Sequence, residues 1–257
     1  MKVLALIPAR MGSSRFPGKP MAPLLGVPMI EHVYRRVALN SMLTATVVAT
    51  CDAAIADHIR AIGGRVAMTS SHHERASDRC AEALEIVEKE DGIRFDIVVM
   101  VQGDEPLVHP EMLSEALAPM LADLSIRVTN LLGPIGGDAE FEDRNCIKVV
   151  CDCAGDALYF SREPIPTRSK GVNAPMGKQI CVIPFRRDFL LEYTRMAPTP
   201  LEIAESVDMM RVLEHGLNVR MVPTHHGSQS VDTESDRARV EQLMRTDALH
   251  WQIFGNR

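Results

Sequence analysis

Ile7-Pro8-Ala9-Arg10-Met11-Gly12-Ser13-Ser14-Arg15-Phe16-Pro17-Gly18-Lys19-Pro20 is the stretch whose reading decides the fold. It follows Val3-Leu4-Ala5-Leu6-Ile7, the continuous apolar run of a strand buried on both faces. Open α/β sheets hold ligands where a loop leaves the C-terminal end of such a strand. Arg10, Arg15 and Lys19 are cations suited to neutralising a triphosphate, and Gly12, Ser13, Ser14 and Gly18 leave backbone N–H groups free to approach phosphate oxygens. The P-loop pattern fails here: five residues instead of four separate Gly12 from Gly18, and Pro20 stands where a magnesium-binding hydroxyl belongs. The dinucleotide fingerprint G-x-G-x-x-G is absent as well. An ordinary basic strand-to-helix loop has the same composition, so the decision needs the rest of the chain.

A chain of 257 residues with 46% hydrophobic content has the length and core of one large α/β domain over 1–257. The net charge of -6 argues against a general nucleic-acid surface and leaves the first loop as the local basic site. The N-terminus enters a strand at once, without a signal-peptide pattern, and no apolar run approaches a membrane span, so a cytoplasmic location is expected. Six cysteines lack paired C-x-x-C spacing, which speaks against a zinc site and for reduced thiols.

Outward from the first loop, strand-like and helix-like runs alternate as in a parallel sheet. A helix from Pro28 with Ile30, Val33, Tyr34 and Val37 on one face precedes a strand at 46–50, and a helix at 55–62 precedes a strand at 65–68. A helix at 77–89, a fully buried strand at 97–101, a helix at 110–122 and strands at 126–132 and 146–151 follow, the last two separated by a Gly136-Gly137-Asp138 turn. From 157 to 177 the pattern becomes an irregular arm rich in proline. Beyond it the spacing predicts a strand at 179–183, helices at 186–195 and 200–215, and a closing strand and helix within 218–244.

The strand at 97–101 delivers Gln102-Gly103-Asp104-Glu105-Pro106 at its C-terminal end. Two carboxylates there suit a hard cation arriving with a triphosphate, since Mg²⁺ takes one or two carboxylates plus phosphate oxygens. The lesser alternative is that they cap the following helix. Ser230-Val231-Asp232-Thr233-Glu234-Ser235-Asp236 offers a second acidic turn, in which Asp232 is either a metal ligand or a helix N-cap.

With IPARMGSSRFPGKP, VQGDEP, IKVVCDCAGDALYFSREPIP and VDTESD in this order, the chain resembles the CMP-Kdo synthetases, the 3-deoxy-manno-octulosonate cytidylyltransferases. The resemblance implies a three-layer, Rossmann-like nucleotidyltransferase fold, a mixed but mostly parallel sheet with helices on both faces and a dimerisation arm. It implies transfer of CMP from CTP to the anomeric hydroxyl of an acidic sugar, with release of pyrophosphate. Carried over by motif, Arg10, Arg15 and Lys19 bind the triphosphate beside Ser14, Lys19 stabilises the departing pyrophosphate, and Gln102 lies by the nucleotide. Asp104 and Asp232 hold Mg²⁺, Arg79, Gln179 and Asp208 face the sugar, and a homodimer forms through the arm carrying Ala157–Arg162.

Departures from the family pattern gather in the sugar half. His73-Glu74-Arg75-Ala76-Ser77-Asp78-Arg79 stands for H-x-S-G-T-E-R, Lys178–Ile183 for R-H-x-G-I-Y, and Val207–Arg211 for L-E-Q-L-R, while Cys51 replaces the Asp of A-T-D. Gln179, Ile183 and Met209 thereby stand where the family has His, Tyr and Gln, and Arg75 adds a cation. Lost hydrogen-bond partners predict a weakened hold on the family's own sugar, or a different acidic acceptor. A nucleotide-binding paralogue without turnover is the alternative of another class, against which the retained Arg10, Lys19, Asp104 and Asp232 argue.

Overall fold

The computed structural model describes residues 1–12, 16–170 and 176–255. The chain divides into two compact units, residues 1–114 with 228–257 and residues 115–227.

The first unit contains β1 (Val3–Ala9), a 3-10 turn (Lys19–Met21), the two-residue strands β2 (Pro23–Leu24) and β3 (Val27–Pro28), α1 (Met29–Ala38), β4 (Ala45–Thr50), α2 (Ala53–Ala61), β5 (Arg65–Met68), α3 (Ala76–Asp91) and β6 (Ile97–Val101). The division falls inside α4 (Pro110–Ala122). Within this unit β6, β1, β4 and β5 are neighbours in that order and all run parallel. Every residue of β1 and of β6 is buried, which is why both read as unbroken apolar runs rather than alternating ones. On α1, Ile30, Val33 and Val37 are buried as their helical spacing predicts, and so, against that prediction, are Glu31, His32 and Arg36.

The second unit holds β7 (Thr129–Gly133), α5 (Asp138–Glu142), β8 (Lys148–Cys151), β9 (Ala157–Ser161), β10 (Met176–Ile180), β11 (Val182–Arg186), α6 (Arg187–Tyr193), α7 (Pro200–Glu205), α8 (Met209–Glu214) and β12 (Arg220–Pro223). Its five-stranded sheet has the order β12-β7-β10-β8-β9, parallel only between β12 and β7. The antiparallel β8–β9 pair follows from the short Asp152–Asp156 connection, since parallel strands need a crossover of a dozen or more residues. Asp152 Oδ1 accepts from Ala154 N and Asp156 N at 2.8 and 2.9 Å, and Gly155 takes a φ of 85°, so local chemistry closes the hairpin.

Several elements differ from the periodicity reading. The arm begins as a regular strand, β9, and residues 171–175 lie outside the described residues. The Gly136-Gly137-Asp138 turn opens the short helix α5. The strand expected at 179–183 is two strands separated at Cys181, and the helix expected at 200–215 breaks at Ser206, whose φ of 53° and ψ of 48° are left-handed.

The chain then returns to the first unit with α9 (Glu234–Met244) and α10 (Ala248–Phe254), the latter without a sequence expectation. The α10 region covers two of the buried polar residues of α1, since Arg36 pairs with Asp247 and the His32 ring stacks on His250 at 5.4 Å and packs against Phe254, while Glu31 meets His58 of α2 at 2.8 Å.

Candidate active site

Three charged side chains converge in the first unit because their apolar chain neighbours share one cluster. Leu24, Met29, Val231, Val240 and Met244 are buried together, with Phe16, Ala22, Leu25 and Leu107 packed against them. Phe16 and Ala22 flank Lys19, Leu107 lies three residues beyond Asp104, and Val231 immediately precedes Asp232. Burial of these apolar groups therefore brings the basic loop and both acidic turns to one place. Lys19 Nζ lies 2.6 Å from Asp104 Oδ2 and 3.1 Å from Asp232 Oδ1.

Backbone contacts hold the two carboxylates. Val231 N donates to Asp104 O at 3.0 Å, joining the acidic turns. Gly103 lies so close to β1 that a Cβ would meet Pro8 O at 2.9 Å, which makes glycine necessary where the turn abuts the strand. Asp232 N donates to Asp236 Oδ2 at 3.1 Å, and Thr233 is the N-cap of α9 in a reciprocal capping box with Asp236. Asp232 is thus not the cap, and its carboxylate is turned to Lys19. Asp104 and Glu105 do not cap α4 either, whose first residue is Pro110. The buried Glu105 accepts from the Ser228 hydroxyl.

Burial works against the charged form of Lys19, but the Asp104 and Asp232 carboxylates outweigh it and raise the ammonium pKa above its ordinary value. Two carboxylate oxygens from separate turns thus share one cationic centre. A hard cation such as Mg²⁺ takes the same donors, so the residues present fit it.

Of the other predicted site residues, Arg10 and Arg79 share one acceptor, His73 O, which lies 3.5 Å from Arg10 Nη1 and 3.4 Å from Arg79 Nη2. Arg10 is exposed at the end of β1, and Gln102 is half-buried at the end of β6. Ser14 and Arg15 lie outside the described residues. Arg79 is buried on α3, where Nη1 donates to Thr69 Oγ1 at 2.5 Å and to Ser70 O at 3.2 Å. In the second unit, Gln179 Nε2 donates to Asn130 Oδ1 at 2.6 Å, and half-buried Asp208 accepts through its backbone oxygen from the Tyr193 hydroxyl at 2.9 Å. Ile183 and Met209 are 3% and 0% exposed.

Sequence reasoning missed Asp52. Its Oδ2 accepts from Met11 N at 2.8 Å, and Gly18 N donates to Met11 O at 3.0 Å, so Asp52 anchors the base of the basic loop. Its local signals are its place two residues after β4 and directly before α2, where aspartate is a common N-cap residue. The capping box around Asp236, by contrast, is visible as Thr233-x-x-Asp236.

The family described as Cytidylyltransferase matches residues 4–221. A 3-deoxy-manno-octulosonate cytidylyltransferase of Geobacter metallireducens is 46% identical, the match covering 95% of this chain and 99% of the relative. One from Solibacter usitatus is 39% identical over 99% of this chain and 98% of its own length. A solved CMP:2-keto-3-deoxy-manno-octonic acid synthetase complexed with CTP superposes with a TM-score of 0.84 at 35% identity, covering 95% of this chain and 99% of its own. A basic loop after β1, an acidic turn after β6 and a second acidic turn before α9 meet on one lysine in a chain that matches these proteins along almost its whole length; the chain belongs to the 3-deoxy-manno-octulosonate cytidylyltransferase family.

Proposed function

We propose that the protein transfers CMP from CTP to the anomeric hydroxyl of 3-deoxy-manno-octulosonate and releases pyrophosphate. The Lys19–Asp104–Asp232 cluster, drawn from the loops after β1 and β6 and the turn before α9, is the observation that carries the chemistry, and the match along almost the whole length to relatives named for this acceptor supports the substrate.

The reaction is an in-line displacement at the α-phosphate. The sugar hydroxyl oxygen forms the new P–O bond, pyrophosphate leaves with the electrons of the broken one, and the hydroxyl proton passes to solvent. No covalent nucleophile is needed, since positioning and fixed charge lower the barrier. Asp104 and Asp232 would hold Mg²⁺, which when bound supplies positive charge to the phosphate oxygens. Lys19 and Arg10 offset the charge of the triphosphate and of the departing pyrophosphate, with Arg15 and Ser14 in the same loop. Asp52 keeps the base of that loop in place through Met11 N. Arg79, Gln179 and Asp208 are assigned to the sugar by motif.

A cytoplasmic location accords with six free cysteines, and no helix among the described residues is long and apolar enough to cross a membrane. A homodimer accords with Leu158 on β9 and Ile203 on α7, 61% and 66% exposed, apolar side chains that a second copy would cover.

The test is pyrophosphate release with Mg²⁺ from each of CTP, ATP and GTP, with and without 3-deoxy-manno-octulosonate. Release that requires both CTP and the sugar is expected. Phosphate release from ATP without preference for CTP would sink the assignment.

A further inference from the structure

We infer that Lys19 is the resident counter-ion of Asp104 and Asp232, so that a divalent cation binds these carboxylates only in exchange for the lysine ammonium group. The inference rests on the reading of the two aspartates as the metal-holding pair.

Three observations support it. Nζ contacts an oxygen of each carboxylate, at 2.6 and 3.1 Å, and therefore occupies the space between the donors that a shared metal ion would use. The carboxylates are the fixed members: Asp104 is tied through its carbonyl to Val231 N, and Asp232 through its N–H to Asp236. Lysine, with a charge on a four-carbon stem, is the member able to leave. Its side chain is 13% exposed, so the ion pairs are largely shielded from solvent.

The charge count gives the consequence. Two carboxylates and one ammonium carry a net charge of about -1, and a dication in place of the ammonium brings the pair to about zero. The displaced ammonium then needs another anion, and the triphosphate of CTP is one. Metal and nucleotide should therefore favour each other's binding, and by linkage the coupling is the same in both directions. Metal alone should bind weakly, because each bound ion must first separate two ion pairs.

The experiment measures Mn²⁺ binding by titration calorimetry in the absence of nucleotide, for the wild-type chain, Lys19→Met, Lys19→Gln and Arg10→Met, with the Mn²⁺-induced rise in Tm as a second readout. Lys19→Gln retains hydrogen-bond donors between the carboxylates and guards against local misfolding of the methionine variant. Both Lys19 variants are expected to bind Mn²⁺ about tenfold or more tightly than wild type and to show the larger Tm rise. Arg10→Met, which removes a cation of the same loop, is expected to match wild type. Equal affinity in wild type and the Lys19 variants would overturn the exchange. So would an equal gain in Arg10→Met, which would mark a general charge effect. Adding Asp104→Asn to Lys19→Met separates the two readings. Lost Mn²⁺ binding upholds the carboxylate site whatever the lysine does, whereas unchanged binding removes the site and the exchange with it.

Discussion

Lys19 in the first unit and Lys148 in the second are both shielded lysines, and their partners set them apart. Lys148 is 0% exposed and donates to three backbone carbonyls, Asp143 O at 2.8 Å, Cys146 O at 2.7 Å and Arg162 O at 2.6 Å. Desolvation dominates there and lowers its pKa, whereas the two carboxylates raise that of Lys19. Neutral carbonyls from the α5–β8 connection and from the residue after β9 make Lys148 a tie within the fold. Charged, exchangeable partners make Lys19 suitable for chemistry. The contrast sets charged partners, which the proposed exchange trades for a ligand, against neutral carbonyls that belong to the fold.

The comparison breaks most sharply on stability. Lys148→Met leaves three carbonyls without their donor, each at about 1–3 kcal/mol, so a loss of several kcal/mol is expected in urea unfolding. Lys19→Met should cost less than Lys148→Met, because the Asp104 and Asp232 carboxylates it leaves behind are 26% and 15% exposed and water or a cation reaches them, whereas the carbonyls around Lys148 are sealed. Similar losses in the two variants would erase the distinction.

Activity comes next. Asp104→Asn or Asp232→Asn should lower pyrophosphate release by about 10²-fold or more while the circular dichroism spectrum stays native. A variant with near-wild-type turnover would remove that aspartate from the metal site.

A third expectation concerns acid. Burial, with His250 and Arg36 adding to it, pushes His32 down to about 4 from an ordinary 6.5, although its bond to Leu24 O and the charge of Glu31 act the other way. The unfolded chain then binds the proton more readily, so stability is present above pH 6.5 and is lost as pH falls toward about 4. Folding free energy measured at pH 7 and pH 5 should differ by about 2 kcal/mol from this group. His250, lowered mainly by desolvation with Arg36 adding to it and Asp247 opposing, acts in the same direction. A urea midpoint that falls clearly less across that range in His32→Phe than in wild type would assign the larger share to the His32 ring; an equal fall in both would remove it.

The smallest effect concerns the acceptor. Gln179, Ile183 and Met209 replace polar family positions, and two of the three are packed in the interior. A raised KM for 3-deoxy-manno-octulosonate at saturating CTP, with kcat retained, is expected. A kcat/KM on the order of 10⁵ M⁻¹s⁻¹, ordinary for an enzyme on its own substrate, would show the replacements to be neutral.

By itself, the sequence determined the parallel strands β1, β4, β5 and β6 of the first unit and the residues that carry charge. β1 and β6 announced themselves as unbroken apolar runs because both their faces are buried, and the loops that follow them displayed Arg10, Lys19 and Asp104. Four motifs in order were sufficient for the family. Tertiary structure decided the partners. Asp232 was ambiguous between cap and ligand because both uses favour aspartate before a helix, and only burial of Val231 beside Leu24 and Met29, with Thr233 taking the cap, turned its carboxylate to Lys19. The polar residues of α1 read as solvent-facing because periodicity records the face toward a sheet; covering His32 and Arg36 required α10, which lies more than 200 residues further along the chain. Local pattern encodes which atoms are present, and long-range apolar burial selects which of them meet.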